Sequence, residues 1–417
     1  MFDSDRLQEI WVTITRNKVR SLLTGFGVFW GIFMLMLMLG AGKGLERGIM
    51  KNIDGFATNS CFFGAGVTGE PYKGFKKGRS WNLRNKDIEQ IQALVSELEV
   101  ISPMLMGARF NNNVVRNDYS GTYNVRGLYP AYTKIEQQRL SYGRFINDID
   151  ILQRRKVCVI GTSVCEELFP QNENPIGKYI RVNGIYYQVV GVSVGVSNVN
   201  IGGSSAESVS IPFSTMQQIS NQGDIVHMAG AVAKKGVSVE EMEEKIKQVV
   251  KARNSIAPTD QQAIWSFNLD KQFKMFDMLF LGIGIVIWFV GAGTLVAGIV
   301  GVSNILLVTV KERTREIGVR RALGATPRTI LSQIVSESLL LTAMAGVLGL
   351  CLGVLVLYLV DTHLLQQAED VFLSDVVVDF SSAIISTVVL IVCGLIAGAI
   401  PAWRALQIKA IDAIREE

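Results

Sequence analysis

Four stretches of this chain carry no charged residue over the length of a bilayer: Ser21–Gly42, Met278–Val310, Ser338–Val360 and Phe380–Trp403. A hydrocarbon core ~30 Å thick needs about 20 apolar helical residues to cross it. Every backbone N–H and C=O inside that core must be bonded within the chain, so each stretch has to be a helix. Met278–Val310 is 33 residues long. As one helix it would run ~50 Å, more than the core needs, so part of it is expected to project into water.

Charge orients the spans. The segment Lys311–Leu331 carries six basic residues, Lys311, Arg313, Arg315, Arg320, Arg321 and Arg328. The segment Asp361–Asp379 has no Lys or Arg and five acids, Asp361, Glu369, Asp370, Asp375 and Asp379. Residues flanking the first span (Arg16, Lys18, Arg20) and following the last (Arg404, Lys409, Arg415) are also basic. Basic loops stay in the cytoplasm. Both termini and the 311–331 loop are therefore expected inside, with 361–379 and everything between the first two spans outside. The whole chain is nearly balanced, 41 basic against 37 acidic residues, which argues against a nucleic-acid binder. The N-terminal region shows no signal-peptide cleavage pattern, so 21–42 is taken as a retained membrane helix.

Residues 1–20 are expected to form a cytoplasmic amphipathic helix with Leu7, Ile10, Trp11 and Ile14 on one face. The four spans are 21–42, 276–310, 332–360 and 380–403. Residues 43–275 form a large extracytoplasmic α+β domain inserted between the first and second spans, with two subdomains. Residues 311–331 are a cytoplasmic loop, 361–379 an outer acidic loop and 404–417 a cytoplasmic tail. Within 43–275, Gly55–Arg79 is rich in Gly and Lys and reads as loop. Asn85–Leu98 reads as a helix capped by Asn85 or Asp87. Phe110–Val115 and Thr122–Arg126 are expected to form a hairpin. Val157–Ile160 is a buried strand, followed by a helix to Leu168. Asn183-Gly184 is a two-residue hairpin turn within Tyr179–Val192. Ser208–Ile211 and His227–Ala233 are strands, Val239–Arg253 a helix, and Gln261–Met278 a helix leading to the second span.

Sites are sparse. Of Cys61, Cys158, Cys165, Cys351 and Cys393 no two are spaced CxxC, and the two histidines, His227 and His363, are far apart. No metal site is expected. A disulfide framework is not expected either; a single bond among Cys61, Cys158 and Cys165, such as Cys158–Cys165, is left open. Gly64-Ala-Gly66-Val-Thr-Gly69 matches GxGxxG, but it neither follows a buried strand nor opens an apolar helix and is rejected as a dinucleotide site. No Walker A sequence occurs in the chain. For Glu337 the favoured reading is a carboxylate at the cytoplasmic interface near Arg328, against a polar contact inside the bundle. Asn304 is expected to bond between helices, and Gly27, Gly31, Gly349, Gly353, Gly394 and Gly398 to let helices approach closely. In the basic loop, Glu312–Leu323 is a good helix former that Gly324 can end in a left-handed cap. Ile317, Val319, Ala322 and Leu323 offer apolar contacts between charges, a pattern that suits docking on a protein as well as meeting lipid headgroups.

With that topology in place, the chain resembles the permease subunits of MacB-type ABC transporters, the group that includes LolC/LolE-like and FtsX-like proteins. Glu312-Arg-Thr-Arg-Glu-Ile-Gly-Val-Arg-Arg-Ala-Leu-Gly-Ala-Thr326 is similar to the family's E-R-T-R-E-I-G block. Gly301-Val-Ser-Asn304, Glu337-Ser-Leu-Leu, Arg16-Asn-Lys18-Val-Arg20 and Pro401-Ala-Trp-Arg404 resemble its flanking patterns. Gly143-Arg-Phe, Asn174-Pro-Ile-Gly-Lys178 and Gln188-Val-Val-Gly-Val192 fit its outer domain. The resemblance implies a bacterial inner-membrane permease without catalysis of its own, and without the nucleotide-binding domain fused in the MacB branch. ATP and magnesium would be bound by a partner, two copies of a cytoplasmic ABC ATPase, beneath a homodimer or a heterodimer with a related permease. A periplasmic adaptor or outer-membrane component is compatible with it. Glu312, Arg313, Thr314, Arg315, Glu316, Ile317, Gly318, Arg320, Arg321, Ala322, Leu323, Gly324 and Ala325 would form the ATPase-coupling helix. Its motion would pass along the second span to the outer domain and drive extrusion from the periplasmic side. FtsX-like signalling or scaffolding at a cell-envelope enzyme, and lipoprotein release, stay open as alternatives, and the substrate is not readable.

Overall fold

A computed structural model describes residues 18–53, 55–107, 112–170, 173–195, 201, 203–365 and 380–406. Most of the expected N-terminal amphipathic helix, the acidic loop from 366 and the tail from 407 lie outside these residues. The chain divides into two units, Met50–Asp277 and the remainder.

The described residues of the unit Met50–Asp277 form fourteen strands. They are β1 (Ser60–Ala65), β2 (Leu83–Arg84), β3 (Leu98–Met106), β4 (Asn113–Arg116), β5 (Tyr119–Thr122), β6 (Asn124–Leu128), β7 (Arg139–Gly143), β8 (Val157–Gly161), β9 (Tyr179–Val182), β10 (Ile185–Val194), β11 (Ser208–Pro212), β12 (Ile225–Val226), β13 (Met228–Ala233) and β14 (Ile264–Asn268). Twelve join one mixed sheet in the order β14-β1-β13-β3-β6-β11-β8-β10-β9-β4-β5, with β7 on β10, while β2 and β12 pair separately. The two expected subdomains thus share one sheet path, joined where β3 pairs β6. β8, β11 and β13 are buried along their whole length, and β8 and β13 show the near-continuous apolar runs of central strands.

The unit's helices are α2 (Asn85–Leu94), α3 (Asp148–Leu152), α4 (Thr162–Leu168), α5 (Phe213–Ile219) and α6 (Val239–Arg253). Ile88 and Ile91 of α2 and Val239, Met242, Ile246 and Val250 of α6 join the sheet in one core. In α6 these four fall at i, i+3, i+7 and i+11, the inward stripe of an amphipathic helix.

Several local expectations change. Gly55–Arg79 contains β1, which lies between β13 and β14. Ile264–Asn268 is the strand β14 rather than part of a helix, since only an extended backbone pairs with Cys61–Ala65. Helix α2 stops at Leu94, which is 65% exposed, and β3 begins at Leu98. Arg84 takes the cap position, and its N–H donates to Asp87 at 2.8 Å. The hairpin after Asn112 is tighter than expected: β4 pairs β5 across Asn117-Asp118, and β6 leaves to pair β3 and β11. Asn183 (φ 49°) and Gly184 (φ 87°) do form the two-residue turn between β9 and β10, both in the left-handed region such a turn needs.

Two buried charge networks fix loops to this sheet. Arg126, 1% exposed, donates to Glu136 Oε2 at 3.1 Å and to Ser205 Oγ at 3.0 Å. Asp150 is fully buried and accepts two bonds from Arg144, at 2.6 and 3.1 Å, with the amide of Asn147 at 3.1 Å.

The other unit holds most of the long helices α1 (Lys18–Ile53) and α7 (Leu269–Glu312), and all of α9 (Pro327–Val360), α10 (Phe380–Leu406) and the short α8 (Thr314–Ala322). Among the described residues four segments are long and apolar enough to cross a membrane, Gly25–Lys51, Leu269–Glu312, Pro327–His363 and Ile384–Ala405. Val28, Ile32, Leu35 and Met36 of α1 meet Leu295 and Val302 of α7, Ala345 of α9 and Leu390 and Ala397 of α10 in the bundle core. Where association has no hydrophobic drive, small residues set the crossings. A Cβ on Gly27 would sit 3.0 Å from the Cα of Gly298, so α1 and α7 touch backbone to backbone. A Cβ on Gly349 would lie 2.6 Å from the Phe29 carbonyl oxygen, and one on Gly398 would lie 2.8 Å from Ser338 Cβ. Gly31, Gly353 and Gly394 face Leu295, Met36 and Thr342 in the same way. Ser338 Oγ donates to the Gly394 carbonyl at 2.9 Å, tying α9 to α10.

The Asp150 network makes a pH prediction. Burial alone would raise the Asp150 pKa, but the bonds from Arg144 and Asn147 and the nearby charges of Arg144 and Arg155 outweigh it and hold the carboxyl below its ordinary value. The stabilisation is complete above the unfolded-chain value of about 3.9 and is lost as pH falls below it, through the folded-state value. Asp150→Asn in the full chain is expected to weaken amide protection in β10 at neutral pH. The deficit relative to wild type should shrink as pH drops below about 4, read by hydrogen exchange corrected for intrinsic rate.

Candidate coupling site

The second membrane helix does not end where the charges begin. α7 continues through Lys311 to Glu312 and breaks at Arg313 (φ −96°, ψ 17°). Glu312 therefore belongs to the long helix, and the expected helix from Glu312 to Leu323 is shortened to Thr314–Ala322. Thr314 Oγ1 donates back to the carbonyls of Lys311 at 2.7 Å and Val310 at 3.2 Å, covering groups that the break uncovers. Gly324 (φ 98°) closes α8 in the left-handed conformation, and Ala325 N donates to the Arg320 carbonyl at 3.0 Å. Thr326 then caps α9 by accepting from Thr329 N, and Pro327 takes the first helical position. Pro327–Leu331 thus opens the third membrane helix rather than closing a loop, since proline is preorganised for a first turn.

The two faces of α8 differ. Ile317 packs with Val310, Ile330, Ile334, Ala402 and Ala405, and Gly318 is buried. Arg315, Glu316, Val319, Ala322, Leu323 and Gly324 are exposed. Leu323 is 83% exposed and Val319 44%. Of the apolar residues expected to offer a docking surface, Ile317 instead seats the helix, beside the buried Gly318, while Val319, Ala322 and Leu323 face out.

Between α7, α8 and α9 lies a cleft of about 170 Å³, lined by Arg313, Glu316, Arg320, Gln333 and Glu337 over an apolar floor that includes Leu306 and Ile330. Glu337 is 8% exposed and stands 3.6 Å from Arg313 Nη1. Arg320 Nη1 donates to Gln333 Oε1 at 2.9 Å. Glu337 is thus a buried polar contact between helices, and Arg313 at the helix break, not Arg328, stands beside it. A buried carboxylate needs such a partner. The 24-residue separation of the two hides the pairing from any local pattern. Asn304 is exposed on α7, and its side chain makes no hydrogen bond to another helix among the described residues.

Other candidates carry less. Gly64–Gly69 does run off a buried strand, β1, but leads into a hairpin, and the amides of Gly69 and Glu70 donate to Asp260. The five cysteines are free. Among the described residues no group of three or more His, Cys, Asp or Glu could hold a metal.

Residues 21–249 match the MacB-like periplasmic core domain, and residues 273–410 match the FtsX-like permease C-terminal region. A macrolide export ATP-binding/permease protein MacB of Bdellovibrio bacteriovorus is 27% identical over 417 residues, covering 99% of this chain and 62% of that protein. A pyoverdine export ATP-binding/permease protein PvdT of Pseudomonas putida is 27% identical over 419 residues, covering 99% and 60%. The chain thus spans about three-fifths of the length of these curated relatives. The crystal structure of the periplasmic region of MacB from Actinobacillus actinomycetemcomitans aligns at 20% identity and a TM-score of 0.43, over 55% of this chain and 97% of that one.

The cleft yields a charge-swap prediction. Glu337→Gln, in the full chain in nanodiscs, is expected to speed hydrogen exchange of α8 amides about tenfold, the loss of one charge-assisted contact. Exchange in the α9–α10 contact should not change. Arg313→Glu combined with Glu337→Arg should restore protection that each single change removes.

Proposed function

The chain belongs to the MacB- and FtsX-like family of ABC transporter permeases, and we propose that it converts the motion of an ABC ATPase into motion of its extracytoplasmic domain. The four spans and the family mark it as a multi-pass protein of the inner membrane. In the proposed orientation both termini and α8 are cytoplasmic, as the basic loop requires.

The observation that carries the reading is the two-faced α8. One face is seated on α7 and α9 by Ile317, Gly318 and the Arg313–Glu337 pair, and the other holds Leu323 and Val319 in the open. An apolar side chain left 83% exposed at the end of a charged helix is a natural anchor for a protein pocket. Two ATPase subunits, each taking one α8, would draw together on binding ATP and magnesium, which they and not this chain would hold. α7 is 44 residues of unbroken helix, ~66 Å long at 1.5 Å per residue, and would carry the displacement outward. Two permease copies would work as a dimer. The relatives are named for macrolide and pyoverdine export, which favours extrusion of a small molecule from the outer side over lipoprotein release.

Leu323→Asp is expected to weaken binding of the ATPase subunit to the reconstituted permease by about 2 kcal/mol, the scale of an interface anchor, with the permease itself still folded. Binding measured by light interferometry on nanodiscs checks it, and unchanged affinity would remove α8 as the docking element.

A further inference from the structure

The outer domain presents one cationic element that the coupling reading does not use. Residues 67–80 form a long hairpin. Its base is held by Thr68 N to the Arg79 carbonyl (3.1 Å), Gly78 N to the Thr68 carbonyl (2.7 Å) and Arg79 N to Thr68 Oγ1 (3.0 Å). The amides of Gly69 and Glu70 donate to the buried carboxylate of Asp260 at 2.8 and 3.2 Å. At the tip, Tyr72 and Phe75 exchange two backbone bonds, of 3.1 and 2.9 Å, across Lys73 (φ 47°) and Gly74 (φ 83°). That is the tight primed turn of a two-residue hairpin. The tip is therefore built, not slack.

Its chemistry is one-signed. Pro71–Arg79 contains four cations and no acid. Arg79 is spent on structure: Nη2 donates to the carbonyls of Asn254 (2.6 Å) and Ser255 (3.2 Å), and its guanidinium lies 4.1 Å from the Phe75 ring centroid. Lys73, Lys76 and Lys77 are exposed, and among the described residues none has a carboxylate partner. Glu70, the nearest acid before the tip, is bonded to Thr259. Phe75 is 47% exposed although one face rests on Arg79. The Lys73 ammonium lies over the Tyr72 ring, 5.5 Å from its centroid, so three exposed ammoniums without a carboxylate among the described residues share a preorganised turn with a propped aromatic ring, which lowers the ordering cost of binding and steers an oppositely charged partner.

We infer that the 72–77 tip is a docking surface for an acidic patch on a second protein. The geometry favours protein over lipid. A membrane-inserting tip leads with its apolar residues, whereas here the apex is Lys73-Gly74 and both rings are set back behind it. Phe75 and the lysines can meet a surface from the side, with the ring on an apolar spot and the ammoniums on carboxylates around it. The inference stands apart from the coupling reading, since it uses no residue of α7, α8 or α9.

The test is photo-crosslinking in the cells that make the protein. p-Benzoylphenylalanine replaces Tyr72 in the full chain, and the crosslinked peptide is sequenced. The expected result is one protein adduct whose peptide is rich in Asp and Glu. Its yield should fall about tenfold in the Lys73→Glu, Lys76→Glu, Lys77→Glu triple variant, the scale of lost charge complementarity, and stay level in Lys86→Glu, an exposed cation away from the tip. Phe75→Ala should lower it too. An adduct with phospholipid, a peptide without acids, a yield insensitive to the three lysines, or no adduct would each overturn the inference.

Discussion

Hydrocarbon offers no hydrogen bonds, and that absence governs the membrane unit. It forces α1, α7, α9 and α10 to run unbroken until water or protein can take over the backbone. α7 is released at Arg313, where Thr314 Oγ1 covers two of the loosened carbonyls and Glu337 faces the arginine. The break is thus placed by chemistry rather than by a helix-breaking residue, for Glu312-Arg-Thr contains neither Gly nor Pro. The turn after it is different. There Gly324 supplies the left-handed conformation and Thr326-Pro327 starts the next helix. α8 is held between one polar break and one glycine-proline stop.

The same constraint explains the glycines of the bundle. Lipid competes with any apolar side chain for contact, so close backbone approach replaces hydrophobic drive. Gly27 against Gly298 and Gly349 against the Phe29 carbonyl are approaches that a methyl group would prevent. Asn304 does not take part: it lies on the exposed face of α7. A polar amide on such a face is costly in lipid unless it meets another polar group, which agrees with the proposed pairing of two permease copies.

Much of the architecture could be read before folding, because its causes are local. Uncharged runs mark the spans, Lys311–Arg328 against 361–379 marks the expected orientation, and Asn183-Gly184 marks a turn by its own backbone preference. The misreadings share a cause as well. β1 hides in a Gly-rich stretch and pairs with Met228–Val232 and Ile264–Asn268, far along the chain. β14 lies within Gln261–Met278, expected as helix, yet the alternation of Trp265 and Phe267 suits the sheet edge that β1 provides. At the candidate site the basic helix and its glycine stop are legible from residue types. The inward turn of Ile317 and Gly318, and the pairing of Arg313 with Glu337, depend on where α9 packs.

The central claim is that ATP-driven displacement of α8 travels along α7. Spin labels at Met278→Cys in a reconstituted permease–ATPase complex test it most directly, by pulsed dipolar distance measurement between the two copies. Met278 is 67% exposed on α7, far along the helix from Arg313. The distance distribution is expected to shift on adding ATP with vanadate, and Leu323→Asp to abolish the shift. An unchanged distribution in a complex that still hydrolyses ATP would contradict it.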